Sequence, residues 1–369
     1  MAMLPKQFRF WLFDYLSLKT MRYVHATPRS KASGIVEEVY SMIEDDFFIN
    51  GSLTSRSKVP PLLAGIWACG RESILVTDKL DRTTKEAMIA TLSSINDCPY
   101  CGDMLVSLVH AGNRHDDANH ILNDTEQHIT DPLLRERLLW VRSIATPGAT
   151  PTPTLPFNQA ELPEAIACLM AMADINRFSH VVMDGSPVKA PFGLDSIKEF
   201  ALRVFGGELR TTHTRPLSPG RSLHLLPPAI LPDDLSWASS HPRIAQAIAQ
   251  YARTVEEEGC KVIPEQVQQT VHHSLQHWQG ERMPLSRHWV EDEISDLHGH
   301  DKNIARLAIV LAKAPYQADE KLYTTVFNAC TNEQDFIRLI NWACFTASRY
   351  FASRLVQIAH QQLPALQAA

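Results

Sequence analysis

The chain has 369 residues, 45% hydrophobic and 21% charged, with a formal net charge of −6. That is soluble globular composition, long enough for two domains of ordinary size. The mild acidity argues against nucleic acid or an anionic membrane as a main partner, because phosphate binding needs clustered Lys and Arg, and no uninterrupted apolar run approaches the ~20 residues that span a bilayer.

The N-terminal stretch MAMLPKQFRFWLFDYLSLKTMRY is aromatic but broken by Lys6, Arg9, Asp14 and Lys19. It lacks the compact apolar segment and cleavage site of a secretion signal. Residues 1–32 read as an arm whose aromatic side chains pack onto the body or a neighbouring subunit. Helical periodicity dominates the rest of the chain. Met88, Leu92 and Ile95 recur at four and three between Thr83 and Ile95. Pro99 to Ala111 continues as a second helix, which Gly112 is placed to end. Leu133 to Ile144, Glu161 to Val182, Pro242 to Glu258, Glu265 to His277 and Lys302 to Ala312 read the same way. Glu333 to His360 carries the wide apolar stripe Phe336, Leu339, Ile340, Ala343, Ala347, Phe351 and Leu355. Apart from an ambiguous stretch at Ser222 to Leu226, no strand alternation appears. The expected fold class is all-α.

Two segments punctuate the helices. PGATPTPTLP, residues 147–156, holds four prolines and reads as an extended loop. The longer one runs from Asp184 to about Asp234, with room for one helix over Asp195 to Phe205. Its Leu223, Leu225, Leu226, Ile230 and Leu231 want cover. It divides two loosely similar halves, ending in ADINRFSHVV and ACFTASRYFASRL. The expected organisation is an arm (1–32), a first unit (33–190), a connecting segment (191–235) and a second, degenerate unit (236–369).

Seven cysteines stand at 69, 98, 101, 168, 260, 330 and 344, five of them alone. A secreted disulfide framework is denser and more regular, so a reducing cytoplasm is expected. Cys98 and Cys101 form a C-x-x-C at a helix start, where backbone N–H groups and the helix dipole favour a thiolate. The thiolate is the form that attacks peroxides and disulfides, and a second cysteine one turn away can resolve a sulfenic acid. A zinc site would need two further ligands at close spacing, and none is evident. The plain alternative is two small apolar side chains at a helix start.

The string TTKEAMIATLSSINDCPYC resembles the alkylhydroperoxidase-D-like members of the carboxymuconolactone decarboxylase family. Their signature is a Glu, eleven residues, C-x-x-C, and a His four places after the second Cys. Glu86 sits twelve before Cys98, as that pattern asks. VPPLLAGIWACGRESIL and ADINRFSHVV look like the family's flanking helices, and the whole chain is similar to forms that fuse two units. The resemblance implies that Cys101 is the peroxidatic thiol, Cys98 the resolving thiol and Glu86 an acid of the proton relay. The relay His does not carry over, because position 105 is Leu. Glu86 also has a local reading, since Thr83-Thr84-Lys85-Glu86 spells a capping box.

No other histidine is an evident substitute. His110 follows Cys101 by nine residues, half a turn out of phase. His180 and His128 could reach the pair only through the fold. Asn176 and Arg177 occupy a helix that packs near the cysteines in related proteins, and a polar helix end making a surface or subunit contact is an equal reading. His110, His115, His120 and His128 with Asp116 and Asp117 read as a solvated loop and helix start rather than a metal run. His273, His277, His298, His300 and Asp301 read as surface or interface residues. The second unit's counterpart of the motif, QHWQGERMPLSRHW (276–289), has no cysteine. Cys260, Cys330 and Cys344 read as small core hydrophobes.

The resemblance thus implies a thiol peroxidase or disulfide oxidoreductase acting on hydroperoxides through Cys98 and Cys101. An external dithiol would reduce it, with no organic cofactor and no metal, in a homo-oligomer. The competing expectation is a redox-sensing or structural helical protein that lost its relay at Leu105. A lactone decarboxylase is a third, disfavoured by the cysteine pair.

Overall fold

The computed structural model describes residues 19–186 and 195–367, and among them every regular element is helical. One antiparallel bridge, Met21 to Met183, is the sole ladder-like pairing there. The arm before residue 19 lies outside the described residues. From Thr20 onward it is tied to the body: Arg22 N donates to Val182 O at 2.9 Å. The Tyr23 ring packs on Tyr323, Phe327 and Phe336, an intramolecular contact, and the arm's other aromatic rings lie outside the described residues.

The first half of the chain folds into α1 (Ile35–Asp46), α2 (Gly51–Thr54), α3 (Pro60–Gly70), α4 (Arg82–Ile95), α5 (Pro99–Ala111), α6 (His115–Leu122), α7 (Pro132–Ala145) and α8 (Leu162–Val182). A π-turn at Arg71–Leu75 follows α3. The connecting segment holds α9 (Asp195–His213), and its Leu223–Leu225 stretch is a 3-10 turn, not a strand. Then come α10 (Pro242–Gly259), α11 (Glu265–Gln276), α12 (His288–Glu293), α13 (Gly299–Lys313), α14 (Glu320–Ala329) and α15 (Glu333–Gln367).

Local chemistry explains where several of these helices begin. Proline opens α3, α5, α7 and α10, where its missing N–H costs nothing. The Asp131 side chain accepts from Leu133 N and Leu134 N to start α7. Asp81 caps α4 by accepting from Thr84 N. That cap corrects the capping-box reading, since the helix begins two residues too early for Thr83 to cap it. Glu86 is left without a capping role.

The two longest helices, α8 and α15, pack together at the centre. α8 is long and apolar enough to cross a bilayer, but 94% of its most apolar window is buried in the fold. Its neighbours are protein: α15, α4 and α3 pack against it. α3 packs on α10 so closely that a Cβ at Gly65 would stand 2.5 Å from the Tyr251 ring. Cys260 is exposed and Cys330 half-buried, against the expectation of core positions; Cys344 is buried as expected. Among the described residues no cluster of His, Cys, Asp and Glu could hold a metal ion.

Candidate functional site

The turn between α4 and α5 fixes the cysteine pair. Asn96 N, Asp97 N and Cys98 N fold back onto the carbonyls of Leu92, Ser94 and Ser93. Asp97 takes a φ of +51°, the left-handed conformation that Asp tolerates better than most residues. The chain therefore re-enters a helix within three residues, with Cys98 at the N-cap of α5 and Pro99 at its first position. One turn on, the Cys101 sulfur stands 2.8 Å from that of Cys98, with Cys98 as donor. Little motion separates this geometry from the ~2.05 Å S–S bond of a disulfide. Burial pushes the Cys98 thiol well up, and the Cys101 sulfur and Asp97 carboxylate act in the same direction.

The two sulfurs border different spaces. Cys101 lines an apolar cavity of about 70 Å³ walled by Phe48, Trp67, Ile89, Leu105 and Met172. Leu105 lies beside the thiol as the helical spacing demands, and it serves as wall where the resemblance asks for a proton carrier. Cys98 lines a pocket of about 200 Å³ that also holds Asp97, Arg22 and His180. His180, out of reach of sequence reasoning, is thus the histidine brought to the cysteine pair's surroundings. Its Nδ1 pairs with the Tyr323 hydroxyl at 2.9 Å. Burial lowers the imidazole's pKa, which Asp97 partly opposes, so the ring is neutral at pH 7.

His110 bonds to His115 at 3.0 Å, and the His120 and His128 rings meet edge to face. Asn176 accepts from Ser93 Oγ at 2.9 Å, just before the cysteine turn. Arg177 instead donates to the carbonyls of Ala173, Leu311 and Ala312.

Glu86 is fully buried, and both its oxygens are occupied. Arg82 Nε donates to Oε1 at 2.8 Å and His213 Nε2 to Oε2 at 2.5 Å. Burial alone would raise the carboxyl pKa, but the charges and hydrogen bonds of Arg82 and His213 outweigh it and hold the group below its ordinary value. Glu86 hydrogen-bonds to neither sulfur. The clamp abuts the cavity through Phe47, which walls that space while its ring centre lies 5.8 Å from the Arg82 guanidinium.

His213 is the residue that sequence reasoning missed. It ends α9, 127 positions from Glu86. α9 reaches it by packing against α5, and Gly206 permits the approach: a Cβ there would stand 2.3 Å from Ser107 O. The signal was the continued spacing of Leu202, Phe205, Leu209 and His213 at three and four, past the expected end at Phe205.

No family model matches the chain. A curated protein of Mycobacterium tuberculosis, the alkyl hydroperoxide reductase Rv2159c, is 28% identical over 334 residues, covering 90% of this chain and 94% of that one. The chain is similar to an alkylhydroperoxidase. This likeness runs through both halves, and it agrees with the resemblance carried by the cysteine motif.

Proposed function

We propose that the protein is a thiol-dependent peroxidase of the alkylhydroperoxidase-like type, with Cys101 as nucleophile and Cys98 as resolving thiol. The observation that carries this reading is the pair of touching sulfurs that border unlike spaces. The Cys101 thiolate attacks the terminal oxygen of a hydroperoxide, ROOH; the O–O bond breaks, ROH leaves with one proton, and Cys101 becomes a sulfenic acid. The Cys98 sulfur then displaces that oxygen as water, and the S–S bond forms. An external dithiol reduces the disulfide by exchange, entering on the Cys98 side, and is itself oxidised. The apolar walls around Cys101 suit the organic part of a hydroperoxide better than hydrogen peroxide.

Leu105 moves the proton problem elsewhere. His180 is neutral and borders the Cys98 pocket, so it suits the exchange step as a proton acceptor. Glu86 acts here as a positioning residue: with Arg82 and His213 it holds α4 and α9 behind the cavity wall. A second reading, thiol–disulfide exchange without peroxide chemistry, is favoured by the same engagement of Glu86.

Stopped-flow consumption of cumene hydroperoxide and hydrogen peroxide by the reduced full-length protein separates the two. The peroxidase reading expects the organic peroxide to react at least tenfold faster, and both reactions to vanish in Cys101→Ser. Rates no faster than those of a free thiol, with rapid exchange against a small-molecule disulfide, would establish the second reading instead.

A further inference from the structure

The turn that carries Cys98 borders another cavity on its far side. This space, of about 40 Å³, lies where the ends of α4 and α7 meet the second half of the chain. Asn96, Trp278 and Phe351 line it together with three cations, Arg177, Lys313 and Arg354. Lys313 has a carboxylate: both Glu293 oxygens lie within 3.0 Å. Neither arginine has a carboxylate within ion-pair distance among the described residues; Asp174 acts on Arg177, and Glu281 on Arg354, only through space. Arg177, only 5% exposed, spends its donors on backbone carbonyls. Arg354 donates to the carbonyls of Gln279 and Ile144, and its Nε is buried without a partner. A carbonyl satisfies an N–H group but does not neutralise a charge. Burial and then the charge of Arg177 push Arg354 down to about 10, with Glu281 pulling weakly the other way.

The fold is shaped around that guanidinium. Its carbon lies 5.4 Å from the Trp278 ring centre and 5.6 Å from that of Phe351, a cation–π seat on two sides. Gly280, at a φ of +88°, leaves it room: a Cβ there would stand 1.4 Å from Nη1. With Asp174 and Glu281 acting only through space, two neighbouring cations held this way leave a place for an anion in direct contact.

We infer that this cavity binds a small carboxylate, its oxygens on Arg354 and Arg177 and its apolar end against Trp278 and Phe351. A water takes roughly 10–15 Å³ of such space, so the volume admits a group of two or three carbons. The aromatic walls favour a carboxylate with an organic side over phosphate, which needs donors around its whole surface. Trp278 and Gly280 come from residues 276–289, the stretch expected from the sequence to be the second unit's counterpart of the cysteine motif.

Thermal unfolding of the full chain at fixed ionic strength tests this, with acetate, propionate, phosphate and chloride as probes. Acetate and propionate should raise Tm by several degrees in a saturable way, and chloride should not. Arg354→Gln should abolish the response while unfolding no lower than wild type without carboxylate, since it removes an unbalanced buried charge. Tryptophan emission of wild type should also shift saturably with acetate, and Trp278→Phe should lose that shift but keep the Tm response, which tests the site even if the arginine variant fails to fold. Equal responses to acetate and chloride, or an unaltered response in Arg354→Gln, would overturn the inference. A response to phosphate alone would overturn the carboxylate assignment.

Discussion

Replacing His213 with Ala removes one of the two side chains that hold the Glu86 carboxylate. The carboxylate is 0% exposed, and His213 is 6% exposed, so water cannot take over the lost hydrogen bond. Leaving a buried acceptor without its hydrogen bond costs about 1–3 kcal/mol, and more where the group is charged. The acceptor is a carboxylate and Arg82 still bonds its other oxygen, which places the expected loss at about 3 kcal/mol at pH 7. The pH dependence has a definite direction. A carboxyl whose pKa is lowered by folding contributes stability that is present above its ordinary value of 4.5 and lost as pH falls through the folded value. In His213→Ala one of the two groups that offset the burial cost is gone while Arg82 remains, so Glu86 takes up a proton at higher pH than in wild type and sheds part of the penalty. The gap between wild type and variant should therefore shrink as pH drops from 7 towards 4.5. Urea unfolding followed by far-ultraviolet circular dichroism measures it, with Glu86→Gln completing a double-mutant cycle. A coupling of about 2 kcal/mol is expected at pH 7. A gap below about 0.5 kcal/mol, or one that does not change with pH, would refute the reasoning.

Other outcomes rest on the same geometry. Leu105→His places an imidazole beside Cys101 and should speed disulfide formation with cumene hydroperoxide by roughly 10- to 100-fold, within the ordinary range of general acid–base catalysis. It should lower stability by about 1–3 kcal/mol by burying a polar ring in an apolar wall, read from the urea midpoint. Gly206→Ala should cost about 1–3 kcal/mol, because its Cβ meets the α5 backbone, with an unfolding midpoint near wild type as the contrary result. Timed iodoacetamide labelling with peptide mass mapping should find exposed Cys260 modified first. Cys98 should lag until alkaline pH, as its burial and raised pKa dictate.

Much of this was legible in local sequence because local physics sets it. Periodicity and the prolines marked the course of α4, α5, α8 and α10, and Pro99 with Gly112 bounded the cysteine helix to the residue. Leu105 could be placed beside Cys101 from helical spacing alone, and the structure puts it in the cavity wall. What failed depends on contacts between distant segments. His213 meets Glu86 across 127 residues, and nothing at either position announces the other. The capping-box spelling at Thr83 competed with Asp81, which won because its side chain accepts from Thr84 N and starts the helix two residues sooner. His180 and Cys98 share a pocket because α8 runs past the α4–α5 turn, a placement the 3.6-residue period cannot express.

Mass spectrometry of Cys98→Ser treated with cumene hydroperoxide and dimedone bears most directly on the central claim. With the resolving thiol gone, the sulfenic acid should persist, and the dimedone adduct should map to Cys101 with a stoichiometry approaching one per chain. An adduct on Cys98 in Cys101→Ser, with none on Cys101 in Cys98→Ser, would reverse the assigned roles, and no adduct in either variant would contradict the peroxidase account.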